Sequence, residues 1–282
     1  MSFRLANVSG RATLVDDDDG LHDLEAVSGG SLGPDPMAAV AAHDELHEVS
    51  AGIGRHEPFA RLDEVTLGPP VPHSRHPLGI GLNYRDHIEE TGADAPTVPV
   101  VFTKLAGCIV GPTAEIELRA DTVDYEAEVV VVIGTAGRDI AAADAWNHVA
   151  GVTAGQDVSD RALQYAANPP HFDLGKSRDT FGPTGPVLVS VDRIADPDDI
   201  GLRCRVNGDL RQDSSTSNLL FSVPELIAHI SGVLTMQPGD LVFTGTPAGV
   251  GVARGEFLAD GDVVVTEVDG VGTMTNRCRR PG

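Results

Sequence analysis

Lysine is almost missing from this chain: of 20 basic residues only Lys104 and Lys176 are lysine, and the other 18 are arginine. Where arginine serves nearly everywhere, a lysine marks a position that needs a compact ammonium able to approach an oxygen as a point charge. Basic charge as a whole is scarce. Against 42 acids it leaves a formal net charge of −22 over 282 residues, which argues against nucleic acid and anionic membranes as partners. Acid excess with arginine in place of lysine also fits a G+C-rich genome and, as a hypothesis, a salt-adapted host; activity unaffected by moving from molar salt to dilute buffer would count against the latter. No apolar run approaches the roughly 18 residues that span a bilayer. The opening MSFRLANVSG lacks a cationic segment followed by an apolar core, so no secretory leader is expected. The cysteines, Cys108, Cys204 and Cys278, are odd in number, far apart and in no metal-ligand spacing, which speaks for a reducing compartment. A cytoplasmic location is the expectation.

What is present suggests two units. Residues 1–70 look like a small α+β domain: segments 11–15 and 21–27 flank the turn DDDDG as a hairpin, and a helix is expected over 36–49. The aspartate run lacks the alternating spacing and terminal glutamate of a calcium loop, so it reads as a solvated turn. The proline-rich stretch LGPPVPHSRHP, residues 67–77, reads as a linker and places the boundary near residue 70, with 71–282 as the larger domain. There, strands are expected at 79–82, 98–104, 115–118, 125–133, 152–155, 187–191 and 240–244, with hairpins across Asn207-Gly208 and Asp269-Gly270. Helices are expected at 84–91, 141–150, 159–167 and 223–233. They do not alternate regularly with strands, so the fold class is mainly β (α+β), with an antiparallel or mixed sheet folded over on itself.

The chemistry begins at VDYEAEVVVVIG, residues 123–134. Its β-branched half reads as a buried strand, and Glu126 and Glu128, two apart, point to one side. Two buried carboxylates are costly unless something positive lies between them, and a divalent metal ion is the simplest such thing; a solvated strand edge is the rival. In GLNYRDHIEETG, His87 and Glu90 are helix neighbours that make a candidate general base, or a surface histidine among acids. In GVTAGQDVSDRALQ, Asp157 sits between strand and helix with Arg161 and Gln164 on one helix face, although Asp157 could instead cap that helix. LGKSRDTFGPTGP carries Lys176 and Thr180 in a turn and lacks the upstream glycine of a phosphate loop. FTGTPAGVG offers amide groups and the hydroxyls of Thr244 and Thr246 to a ligand carboxylate.

Taken in order, GLNYRDH, DYEAEVVVVIG, QDVSDRALQ, LGKSRDTFGPTGP, VNGDLRQ, SVPELIAHIS and PGDLVFTGTPAGVG resemble the fumarylacetoacetate hydrolase superfamily from about residue 78 to 279. The resemblance implies a mixed β-sandwich roll, usually dimeric, behind a smaller variable N-terminal region. It implies Mg²⁺, with Mn²⁺ or Ca²⁺ as alternatives, on Glu126, Glu128 and Asp157; a catalytic His87–Glu90 pair with Lys176; and substrate contacts from Arg161, Gln164, Thr180, Gly245 and Thr246. The implied substrate is a small 2-keto or 1,3-diketo acid. C–C hydrolysis of an acylpyruvate or fumarylacetoacetate-like compound through a stabilised enolate comes first. Isomerisation or decarboxylation of a hydroxymuconate-type dioate in aromatic catabolism comes second, and 2-keto-3-deoxy sugar acid dehydration third. A non-enzymatic metal-binding β protein is the remaining alternative. The chain departs from the commonest wording at Gln156 and at ANPPHFD, residues 167–173, which bears on substrate size.

Overall fold

The run AEVVVVI, Ala127–Ile133, is buried at every position and lies at the heart of a large sheet in the computed structural model, which describes residues 2–282. β-branched side chains suit a strand buried on both faces. It pairs antiparallel with Val149–Gln156 on one side and Leu241–Phe243 on the other. The sheet continues through Pro77–Gly81 to the edge strand Val100–Thr103 in one direction and through Gly182–Val189 in the other. Most pairs are antiparallel, but Leu241–Phe243 runs parallel to Pro77–Gly81, so the sheet is mixed. A second, five-stranded sheet of Asp209–Ser215, Gly201–Val206, Val263–Val268, Gly272–Arg279 and Ile116–Glu117 packs onto the first. Gln156 crosses between the sheets to donate to the Thr266 hydroxyl at 2.8 Å. The mainly β sandwich-like fold is as expected.

Several elements differ from the sequence expectation. Arg4–Val8, not foreseen, pairs with Gly182–Val189, so the N-terminal hairpin strands extend the same large sheet. The proline-rich stretch opens with a short strand, Leu67–Gly68, bonded to Arg4–Val8. The expected strand over 21–27 turns helical at Leu24, where the Asp23 carboxylate caps Leu24–Val27. The helix over 36–49 is two, Pro36–Ala41 and His43–Ser50, broken at Ala42. The helix over 141–150 is a 3₁₀ segment, Ala142–His148, and Val149 and Ala150 already belong to the next strand. No helix among the described residues is long and apolar enough to cross a membrane.

Candidate active site

Adjacent strands end together at the pair Ala127↔Gln156, and the acids cluster at that end. Glu126 lies in the gap between Val123–Asp124 and Ala127–Ile133, so the expected single strand from 125 is interrupted. Two bonds hold it in place: its amide donates to Gln156 Oε1 at 2.9 Å, and its carbonyl accepts from the Asp157 amide at 2.9 Å. Oxygens of Glu126, Glu128 and Asp157 lie within 4.8 Å of one another, all three residues being buried. Lys176, at the C-cap of the short helix Phe172–Gly175, donates to Glu126 Oε2 and Asp157 Oδ2 at 2.7 Å each and to Ser159 Oγ at 2.9 Å.

The two glutamates differ in their company. Burial alone would raise the Glu126 pKa, but Lys176 and then Arg161 outweigh it and bring it down to about 2. Among the described residues no cation contacts Glu128, and its hydrogen-bond partner is the Gly245 amide at 2.7 Å. Burial first, then Asp157 and Glu126, hold its pKa well above the ordinary value. A buried acid pressed against two others and left without a counter-charge is the condition a hard divalent cation relieves. The three carboxylates fit such an ion.

Short helices complete the surroundings of the acids. His87 and Glu90 face each other on Arg85–Thr91, Nδ1 to Oε2 at 3.3 Å. Glu90 is fixed in turn by the Gly249 amide, which donates to both its oxygens at 2.9 and 3.1 Å. Gly249 has φ +106, and a Cβ there would fall 1.9 Å from the Arg211 carbonyl oxygen, so only glycine fits. Arg161 and Gln164 lie on Arg161–Gln164, a shorter helix than the expected 159–167. Asp160, not Asp157, caps it by accepting from the Leu163 amide, which leaves the Asp157 carboxylate for the acid cluster. Arg161 donates from Nε and Nη2 to Asp124 Oδ2 at 2.9 and 2.7 Å, from Nη2 to Glu126 at 2.6 Å, and from Nη1 to Gln164 at 2.9 Å.

His87, Glu126, Arg161, Gln164, Lys176 and Thr246 thus line one cavity of about 240 Å³. The Gly-Thr turn, however, is used differently from the expectation. Both hydroxyls donate to the central strand, Thr244 to Val129 O at 2.8 Å and Thr246 to Ala127 O at 2.9 Å, and the Gly245 amide holds Glu128. The turn thus anchors the acid-bearing strand through these three donors, while Thr246 also lines the cavity. Thr180 is not brought to the site: with φ +71 the chain turns away, and its hydroxyl accepts from the Glu117 amide at 2.9 Å beside Arg279 and Glu115. Two buried groups were not among the predicted site residues. Asp124 orients Arg161 and also accepts from the Gly251 and Val252 amides. Lys104 donates to Asp157 Oδ1 at 2.5 Å; its only signal in the sequence was the rarity of lysine.

A family model described as "Fumarylacetoacetate (FAA) hydrolase C-terminal" matches residues 77–279. The mitochondrial oxaloacetate tautomerase FAHD2B of Bos taurus is 42% identical over 236 residues, 82% of this chain and 75% of that protein. Among solved structures, a Mycobacterium smegmatis protein provisionally named HpcE is 44% identical, with a TM-score of 0.92 over 99% of this chain and 100% of the other. Maleylpyruvate hydrolase from Sphingobium sp. SYK-6, solved with manganese(II) and pyruvate, is 28% identical with a TM-score of 0.83, over 99% and 100% of the chains.

Proposed function

The chain belongs to the fumarylacetoacetate hydrolase family, an enzyme family, and from that premise we propose that it is a divalent-metal-dependent enzyme that takes a 2-keto acid through an enolate. C–C hydrolysis of an acylpyruvate is the reaction the geometry supports best. Glu126, Glu128 and Asp157 would hold the ion, with Mg²⁺ first and Mn²⁺ as its substitute. Bound there, the ion would supply Lewis-acid stabilisation of negative charge developing on the substrate, and it would share the carboxylates of Glu126 and Asp157 with the Lys176 ammonium that bonds them.

The observation that carries the reading is a base and a cation lining one small cavity: His87, oriented by Glu90, and Lys176. The bond to Glu90 keeps the ring proton on Nδ1, so Nε2 is the nitrogen that accepts. In hydrolysis His87 takes a proton from water as its oxygen attacks the acyl carbonyl carbon. The C–C bond breaks, its electron pair becomes the pyruvate enolate stabilised by the Lys176 ammonium, and His87 returns the proton to carbon. Arg161 spends four of its five N–H groups within the protein, and Ile80, Leu82, Tyr165 and Phe172 form much of the apolar lining. An uncharged acyl group suits that wall better than a second carboxylate.

Keto–enol tautomerisation is the second reading, favoured by the oxaloacetate tautomerases that are 42% identical. The same base and cation suffice, since only a proton moves. The test is turnover by purified protein with Mg²⁺ or Mn²⁺ of an acylpyruvate, oxaloacetate, a hydroxymuconate-type dioate and a 2-keto-3-deoxy sugar acid. Hydrolysis of the acylpyruvate above the others is expected; conversion of oxaloacetate alone moves the assignment to tautomerisation, and no turnover of any sinks it. The variant His87→Ala is expected to bind Mn²⁺ as the parent does and to lose about 10²- to 10⁴-fold in kcat. Hydrolysis at the parent rate would remove His87 from its role.

A further inference from the structure

We propose that Lys104 is a positioning residue, a buried ammonium that locks the Asp157 carboxylate and the Lys176 backbone and so sets where the acid cluster and the Lys176 ammonium meet. The inference rests on the metal-dependent reading above and adds to it a residue outside the cavity lining.

Lys104 follows the edge strand Val100–Thr103, its amide donates to Pro77 O at 2.8 Å, and its side chain is fully buried. Nζ has three acceptors: Asp157 Oδ1 at 2.5 Å, Phe181 O at 3.1 Å and the carbonyl of Lys176. These acceptors take all three protons of the ammonium, and Lys104, unlike Lys176, does not line the cavity. Lys104 therefore acts through what it holds.

What it holds is soft without it. The last torsion of an aspartate is broad and roughly two-fold, so rotamer preference does not fix the carboxylate plane. Here partners fix it, with Oδ1 on Lys104 and Oδ2 on Lys176, one lysine for each oxygen. The second anchor is the Lys176 carbonyl, at the end of a four-residue helix; terminal carbonyls of a helix lack partners within it. One ammonium thus ties the acid to the backbone of the other lysine. Arginine would present a planar fork where three acceptors converge from separate directions.

The test compares the parent with Lys104→Arg and Lys104→Met, measuring Mn²⁺ affinity by the free-ion EPR signal, kcat and KM on the best keto acid, and the melting temperature. In both variants Mn²⁺ affinity is expected to fall about tenfold and kcat about a hundredfold, as for groups that orient metal ligands. KM is expected to change less than about threefold, with a parent-like melting transition. Folded variants with Mn²⁺ affinity within about twofold of the parent overturn the proposal, and so does rescue of both quantities by arginine. Failure of both variants to fold in the presence of Mn²⁺ also overturns it, in favour of a purely structural lysine. A parent that binds no Mn²⁺ fails the metal reading itself, and the proposal falls with it.

Discussion

The interior and the surface of this protein solve the same electrostatic problem with different cations. Inside, both lysines converge on Asp157, and each ammonium spends three protons on three separate acceptors. Outside, arginine forks onto carboxylates, as in Arg11 on Asp23 and Glu25 or Arg203 on Asp213 and Asp269, where the arginines are more than a third exposed. Arg161 marks the border: it is buried, but two nitrogens of its fork, Nε and Nη2, still meet one carboxylate oxygen, Asp124 Oδ2, while Nη2 also reaches Glu126. A point charge suits a crowded polyhedron of oxygens, and a planar fork suits one face of a carboxylate. Water screens the outer pairs and makes them worth little. The inner network has no such screening, so a misplaced partner there leaves a buried charge unpaired.

Removing an interior acid is the strongest way to break this comparison. Glu128→Ala is expected to abolish Mg²⁺- and Mn²⁺-dependent turnover while the protein still folds, because it deletes a cluster oxygen that no cation of the protein neutralises. Calorimetric titration with Mn²⁺ checks it, and parent-like binding or turnover would sink the ligand assignment. Lys176→Arg comes next. The charge stays but its shape changes, and kcat is expected to drop about a hundredfold, the scale of a catalytic group displaced by about an ångström. Parent-like kcat in Lys176→Arg would show that charge alone matters in the interior.

The acid-bearing strand was legible because its signal is local: VVVVI is a β-branched run, and Glu128 in the strand and Glu126 just before it still bring their carboxylates to one cluster. The helical neighbours His87 and Glu90 were legible for the same reason. Lys104 was not, because its acceptors at 157, 176 and 181 lie 53 to 77 positions away. Thr180 misled through proximity, four residues past Lys176 yet across a positive-φ turn that faces it to Glu117. Gly182–Val189 carries Gly182, Pro183, Gly185 and Pro186, a turn-like composition that pairing with Arg4–Val8 and Val149–Gln156 overrides. The Gly-Thr turn borders the cavity through Thr246, but which way its hydroxyls point depends on the strand beside it.

The surface gives the smallest expected effect and the sharpest contrast. Arg11 bonds to Asp23, and that hydrogen bond, against a smaller opposing effect of burial, holds the Asp23 carboxyl below its ordinary value, with further help from the Ala26 amide it caps. An acid whose folded pKa is depressed stabilises the fold above its unfolded pKa, and that contribution fades as the pH falls through the folded value. Arg11→Lys keeps the charge, and the melting temperature at neutral pH is expected to stay within about 2 °C of the parent. Arg11→Ala is expected to be somewhat less stable at pH 6–8 and to converge on the parent as the pH falls through the depressed folded pKa of Asp23. Thermal melts across that range decide it. A loss in Arg11→Lys as deep as the effect of Lys176→Arg on turnover would mean that fork geometry matters as much in water as in the core, and the division between the two cations would then have another cause.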